Sequence, residues 1–109
     1  MKRLEIGQKM PYNYQLSEEA ESDIYQSFLW YERQQVGLGI EFLDVLDVAR
    51  QAITGNPLTY RIRYKNKVRA FVVNRFPYLI FYILNENNIY VISVFNTNQH
   101  PKTWKLRQK

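Results

Sequence analysis

The chain has 109 residues, a net charge of +5 at pH 7, one histidine and no cysteine. This length suits one domain, and a hydrophobic content of 46% excludes a disordered chain, because there is enough apolar surface to form a core. The lack of cysteine excludes disulfide bonds, a thiol nucleophile and a cysteine-ligated metal, and a single histidine excludes a multi-histidine metal site, so the sequence predicts no cofactor.

Signals for membrane insertion and secretion are missing from the sequence. No run of apolar residues reaches the length of about 18 that a membrane-spanning helix needs. The segment from Met1 to Met10 carries charges but lacks the apolar core of a signal peptide. We therefore expect a cytoplasmic protein that does not contact a membrane.

The charges are divided unevenly along the chain. Residues 1–60 contain five Lys/Arg and nine Asp/Glu, whereas residues 61–109 contain ten Lys/Arg and one acidic residue, Glu86. An excess of one charge attracts partners of the opposite sign. The second half of the chain is therefore expected to bind an acidic or polyanionic partner.

The first residues, 1–11, show no sustained periodicity, and we expect them to form a peripheral arm before a single domain at 12–109. Met10 is an alternative start of translation. The domain is predicted to begin with a strand from Tyr12 to Leu16, because apolar and polar residues alternate there.

A first helix is predicted to begin after Ser17, whose side chain can accept a hydrogen bond from the free N–H groups of the first turn. Acidic residues follow at once, where they favour the positive end of the helix dipole. Tyr25 and Trp30 are expected to widen its apolar face, and Gly37 and Gly39 to end the helix. Its apolar stripe consists of Ala20, Ile24, Phe28 and Tyr31.

A second helix is predicted to end at Gly55, Asn56 and Pro57. Gly55 would adopt the left-handed cap conformation, and Pro57 cannot continue a helix. The two helices are expected to form an antiparallel hairpin on one face of a sheet. The apolar stripe of the second helix consists of Phe42, Val45, Leu46, Ala49 and Ile53.

Three consecutive antiparallel strands are predicted between Val68 and Phe95. Three runs of β-branched and aromatic residues are separated there by two short segments rich in Asn and Pro, which are typical of turns. The predicted fold class is therefore α+β, with an N-terminal strand and a helical hairpin packed on an antiparallel β-sheet.

A row of basic residues occupies five successive odd positions just before and within the first of these strands. An extended chain would project all five side chains from one side. The segment Lys65-Asn66-Lys67 is also typical of a turn, which would divide the row between two strands. Two interpretations stay open, a solvated edge that discourages aggregation or an anion-binding surface. The five residues are Arg61, Arg63, Lys65, Lys67 and Arg69.

Few types of catalysis fit this sequence, since it contains no phosphate-binding glycine loop, metal-ligand spacing or Ser/His/Asp arrangement. The remaining enzymatic interpretation is RNA cleavage, which needs cations for the phosphate and a group that removes the 2′-hydroxyl proton. Each candidate also has a structural explanation, such as packing within a strand for Tyr82. The candidates are Lys67, Arg69, Arg75, Tyr78, Tyr82 and His100.

The order and spacing of several short motifs resemble the RelE/ParE toxin superfamily, and its ParE-like branch more than its RelE branch. The resemblance extends from Tyr12 to Arg107. In chain order, the motifs are Gly55-Asn56-Pro57, Tyr64, Val68-Arg69, Arg75-Phe76-Pro77-Tyr78, Ile80-Phe81-Tyr82 and Pro101-Lys102-Thr103-Trp104-Lys105.

This resemblance implies a toxin of a type II toxin–antitoxin system, also known as a plasmid stabilisation protein, which a cognate antitoxin neutralises. For the ParE-like branch it implies inhibition of DNA gyrase by binding, without enzymatic turnover. The oligomeric state would be a homodimer or a toxin–antitoxin hetero-oligomer. The expected partner-binding residues are Arg61, Arg63, Lys67, Arg69, Arg75, Lys102, Trp104, Lys105 and Arg107.

Two alternatives stay open. One is a RelE-like, ribosome-dependent mRNA endonuclease that uses Arg69, Arg75 and Tyr82 and contacts the ribosome and mRNA. RelE-type nucleases commonly have an arginine at the position of Leu79, which favours binding over cleavage for this chain. The other is an inactive toxin remnant that acts only as a binding module. Many ParE-like relatives have a His-Thr-Ser-Arg stretch after the last strand. This chain has Asn96, Thr97, Asn98 and Gln99 at the matching positions, so a site built on that histidine or arginine would be absent.

Overall fold

Residues 12–98, the part of the chain that the computed structural model describes, contain seven elements, of which six follow the predicted order. The seventh is a short strand before Val68, which is one of the two arrangements left open for the basic row. The helices are α1 (Glu18–Gln34) and α2 (Leu38–Gly55). The strands are β1 (Asn13–Leu16), β2 (Ile62–Tyr64), β3 (Val68–Val72), β4 (Tyr78–Asn85) and β5 (Asn88–Asn96). The predicted α+β class is confirmed.

The strands of this region form one sheet in the order β1-β5-β4-β3-β2. Strands β3, β4 and β5 pair in antiparallel orientation, as predicted, and β2 also pairs antiparallel with β3. Strand β1 lies parallel to β5, with Tyr14 opposite Ile89. A parallel pair needs a long connection, which the helical hairpin and the other strands supply here. Among the strands of residues 12–98, β1 and β2 are therefore the two edges of the sheet.

Helix α1 begins directly after Ser17, as predicted. The Oγ of Ser17 accepts a hydrogen bond from the N–H of Ala20 at 3.0 Å, and Ala20 is fully buried. The prediction that Tyr25 and Trp30 widen the buried face is wrong, because their side chains are 58% and 56% exposed. Each lies one position from a stripe residue, which turns it about 100° away from the core.

The turn between the helices depends on Glu32, a residue that the apolar pattern did not identify. Its carboxylate accepts hydrogen bonds from the N–H of Gly37 at 2.8 Å and of Gly39 at 2.9 Å. Gly37 has a φ of +91°, which glycine adopts without strain. A Cβ at Gly39 would lie 2.7 Å from the ring of Phe28. A side chain of α1 thus satisfies the free N–H groups at the start of α2.

Helix α2 ends at Gly55, and Asn56 follows as its cap with an extended φ of −161°. The predicted left-handed conformation of Gly55 is wrong, because its φ is not positive. The N–H of Asn56 donates to the C=O of Ala52 at 3.3 Å, so the last turn stays helical up to the cap. Pro57 then stops the helix as predicted, since it has no N–H to donate.

Both faces of the sheet carry buried apolar residues. On one face, Phe42 and Ile53 of α2 pack with Tyr82 of β4 and other sheet residues. On the opposite face, within residues 12–98, a second cluster of sheet residues includes Val68 and Phe81. Because successive side chains of a strand point to opposite faces, two buried faces explain why β4 and β5 are almost continuously apolar.

We expect the substitution Glu32→Gln to lower the free energy of unfolding by about 1 kcal/mol, a typical value for the loss of a helix cap. The amide oxygen can serve one glycine N–H, but the amide NH₂ cannot accept from the other. Urea unfolding measures the difference. The control Asp44→Asn removes a charge from an exposed position of α2 and should change stability by less than about 0.5 kcal/mol. Equal effects of the two substitutions would contradict the capping role.

Candidate partner-binding surface

The predicted basic row is divided between two strands. Residues 65–67 form a turn whose first two members have φ angles of 51° and 60°. Arg61 therefore directly precedes β2 and Arg63 lies within it, whereas Arg69 belongs to β3. The turn interpretation of this segment is confirmed, and the five basic side chains do not share one side of a single strand.

The outer edge of the sheet is basic and exposed. β2 is an edge strand, and the side chains of Arg61 and Arg63 are both exposed beside it. Lys67, in the following turn, is also exposed and lines a cleft of about 790 Å³ together with Glu18 and Glu19. Arg61 and Arg63 are thus available to a partner at the edge of the sheet.

Arg69 is turned towards the protein's own main chain. Its Nη1 donates to the C=O of Tyr60 at 2.7 Å and to the C=O of Leu58 at 3.3 Å. These carbonyls belong to the connection between α2 and β2. A guanidinium can serve several acceptors because it carries five N–H donors in a fixed plane. Arg69 therefore holds this connection on the sheet.

Tyr82 supports the same connection from the neighbouring strand. It is fully buried, and its hydroxyl donates to the C=O of Pro57 at 2.6 Å. Tyr82 lies directly opposite Arg69 in the pairing of β3 with β4. Burial raises the pKa of Tyr82 above its ordinary value, although Arg69 acts in the opposite direction. The neutral hydroxyl is therefore a fixed donor to Pro57.

The three residues of the nuclease alternative do not converge on an open site. Arg69 and Tyr82 are neighbours, but both donate to backbone carbonyls of the connection after α2. Arg75 lies in the turn between β3 and β4 and pairs with Glu41. Cleavage of RNA needs cations and a proton acceptor that can reach the phosphate and the 2′-hydroxyl. This geometry weighs against that alternative.

Arg75 fastens the turn between β3 and β4 to the helical layer. It has a φ of +80°, an uncommon conformation for a residue other than glycine. Its guanidinium pairs with Glu41 of α2 and lies 5.3 Å from the ring centre of Phe76. The side chain remains more than half exposed, so the ion pair contributes little to stability by itself.

The Phe76-Pro77-Tyr78 motif packs this turn into an aromatic cluster. The ring of Phe76 lies 4.9 Å from that of Tyr31 and 5.4 Å from that of Phe42. The hydroxyl of Tyr78 donates to Ser27 Oγ at 2.8 Å. Tyr78, a nuclease candidate from the sequence, is thus buried between the sheet and α1.

Leu79 and Asn96 are two of the positions at which the sequence differs from the family that it resembles. Leu79 lies opposite Phe95 and packs on the face of the sheet away from the helices. Asn96 lies opposite Tyr78 and approaches its hydroxyl, with 3.4 Å between Nδ2 and the phenolic oxygen. Both side chains have packing roles in this fold.

Several predicted site residues lie outside the described part of the chain. They include the tail residues of the expected partner-binding set and one nuclease candidate. The roles given to these residues therefore stay predictions. The residues are Gln99, His100, Lys102, Trp104, Lys105 and Arg107.

Sequence reasoning missed a cleft of about 360 Å³ between α2 and β3. Its lining includes Val48, which is 65% exposed and lies beside the apolar stripe of α2 rather than in it. Glu41 and Arg75 border the same cleft. The sequence signal for such a surface is an apolar residue, Val48, directly beside the predicted stripe residue Ala49. The remaining apolar lining consists of Val45, Ala49, Phe71 and Val73.

Within residues 12–98, no group of three or more His, Cys, Asp or Glu residues is arranged to hold a metal ion. In the same part of the chain, neither helix has the length and apolar character needed to cross a bilayer.

The chain matches no protein-family model and no curated protein sequence. Among solved structures, it is similar to a chain from the "Chromosomal ParDE TA system from P. aeruginosa", with a TM-score of 0.70 and 10% sequence identity. The similarity covers 81% of this chain and 98% of that one. At this identity the likeness shows the fold alone, and at that level it supports the ParE-like resemblance.

We expect Tyr82→Phe to lower the free energy of unfolding by about 1–3 kcal/mol, because it leaves the Pro57 carbonyl without the hydroxyl donor. Urea unfolding gives the value. The matched control is Tyr90→Phe, the same chemical change at a side chain that is 38% exposed. The control should shift stability by less than about 0.5 kcal/mol. Similar losses for both variants would refute the structural role of the Tyr82 hydroxyl.

Proposed function

We propose that this protein is the ParE-like toxin component of a type II toxin–antitoxin system, which acts by binding a protein target and is neutralised by a cognate antitoxin. The observation that carries this proposal is the fold shared with a ParDE chain over 98% of that chain's length. DNA gyrase is the proposed target, and the cytoplasm is the proposed location.

The roles of Arg69 and Tyr82 support binding rather than catalysis. Their polar groups donate to carbonyls of the connection at Pro57, Leu58 and Tyr60. A catalytic acid, base or phosphate-binding cation must contact the substrate instead. The toxin is therefore proposed to have no enzymatic turnover.

The distribution of charge supports a protein partner at the edge of the sheet. Arg61 and Arg63 are exposed there, while the exposed surface of α2 carries acidic residues such as Asp44 and Asp47. Charges that complement a partner's surface speed association and fix its orientation. We propose that an acidic antitoxin segment contacts Arg61 and Arg63 in a hetero-oligomer, and that Arg69 supports this surface from within.

Induced expression of this chain in a bacterial host should stop growth, because the toxin would hold its target in an inactive complex. Co-expression of the protein encoded by the neighbouring reading frame should restore growth. Counts of viable cells measure both effects. The variant Tyr82→Phe should still stop growth at a temperature at which it remains folded, since the proposed activity does not use the hydroxyl.

Two readouts separate gyrase inhibition from RNA cleavage. A gyrase inhibitor should induce the DNA-damage response, leave transcripts uncut in primer extension, and block supercoiling by purified gyrase. Cut transcripts that disappear with Tyr82→Phe would favour the endonuclease instead. Unchanged growth after induction of soluble protein would argue against any toxin function.

A further inference from the structure

The outer edge of β2 ends the sheet at the side away from β1. Within residues 12–98, β2 pairs with β3 and with no second strand. An edge strand presents backbone donors and acceptors that another chain can use to extend the sheet. The backbone groups and side chains that this edge presents determine which chain can bind there.

The pairing of β2 with β3 decides which backbone groups face outwards. Ile62 lies opposite Arg69, and the N–H of Ala70 donates to the C=O of Arg61 at 3.1 Å. That hydrogen bond joins the residues flanking the pair, so Ile62 and Arg69 form a non-hydrogen-bonded pair of the antiparallel ladder. The N–H and C=O of Ile62 therefore both point away from β3, towards the open edge.

The side chains at this edge combine apolar and basic character. Ile62 is 40% exposed, which is unusual for isoleucine in a strand. Arg61 and Arg63, on either side of it in sequence, are exposed. Arg61 projects from the opposite face to Ile62, because side chains alternate along a strand. The register of β2 against β3 shifts between Ile62 and Tyr64, so Arg63 lies at a bulge where this alternation is interrupted. No acidic residue occurs between Arg61 and Asn85 in the sequence.

These charges select the kind of chain that can add to the edge. A second copy of this protein would bring its own Arg61 and Arg63 towards those of the first, and like charges opposed across strands are destabilising. An acidic segment would instead form ion pairs with them. The edge thus disfavours self-association and favours an anionic strand.

We propose that β2 accepts an extended, acidic segment of a partner protein as an additional strand, with its main chain bonded to Ile62. Alternate side chains of that segment would be apolar, packing on Ile62, and acidic, pairing with Arg61, and a further acidic side chain would pair with the exposed Arg63 at the bulge. The inference rests on the proposed function only for naming the antitoxin as the natural source of this segment.

The probe for this proposal is the synthetic peptide acetyl-(Val-Glu)₄-amide, titrated into the full-length protein and followed by isothermal calorimetry and by amide NMR. We expect saturable binding, together with slower hydrogen exchange of the Ile62 amide, which would become bonded. Two control peptides test the mode of binding. One has lysine in place of each glutamate, and the other has N-methyl groups on alternate backbone nitrogens, which removes donors from one edge of the peptide.

Variants of the protein test the same contacts from the other side. Arg61→Glu combined with Arg63→Glu should weaken binding at least tenfold, whereas Arg33→Glu on α1 should leave it unchanged. Ile62→Pro should also weaken binding at least tenfold, since proline removes the outward N–H and is accepted at edge strands. Ile62→Val should bind as the native protein does.

Absence of saturable binding by the Val-Glu peptide, or equal binding by all three peptides, would overturn the proposal. So would unchanged affinity of the double arginine variant. These results are distinct from failure of the toxin function, which is read from growth of induced cells. Peptide binding by a protein that does not stop growth would retain the edge site and remove the toxin assignment.

Discussion

The connection from Pro57 to Tyr60 is the constraint on which the outer edge of the sheet depends. It leaves the end of α2 and must deliver the chain to β2. Arg69 and Tyr82, from two neighbouring strands, supply donors to three carbonyls of this connection. The hydrogen bond to the Pro57 carbonyl is buried, and a buried carbonyl that loses its donor costs about 1–3 kcal/mol. The bonds to Tyr60 and Leu58 are part-buried and exposed and add less, so the three together favour one path for the connection. The position of β2, and with it the basic edge, follows from that path.

Some of the residues that carry the family resemblance lie in the interior, and others are exposed like the basic residues at the sheet edge. Tyr82 and the Phe76-Pro77-Tyr78 turn lie in the interior, where they join the sheet to α2 and α1. Arg61 and Arg63, which belong to none of the resembling motifs, are exposed. Tyr82 and the Phe76-Pro77-Tyr78 turn therefore support the scaffold, whereas Arg75 of the same motif is more than half exposed, as are the basic residues of the edge.

The sequence predicted the elements that depend on local signals. Ser17 marks the start of α1, and the apolar runs after Val68 mark β3 to β5, because capping and strand propensity act over a few residues. It did not predict roles that depend on contacts distant along the chain. Asp23 and Glu32 resemble solvated helix charges, yet Asp23 accepts from the N–H of Val94 of β5, and Glu32 caps α2. Arg69 likewise appeared as a surface cation, because only the folded chain brings carbonyls to it.

Arg69 and Tyr82 act as a single structural unit that holds the connection after α2, and a double-mutant cycle tests this most directly. The free energies of unfolding of Arg69→Gln, Tyr82→Phe and the double variant would be compared with that of the native protein by urea unfolding. Since either substitution alone should loosen the same connection, the double variant should lose less stability than the two single losses combined, with a coupling energy of about 0.5–3 kcal/mol. Additive losses would contradict the account, because they would mean that the two residues act independently.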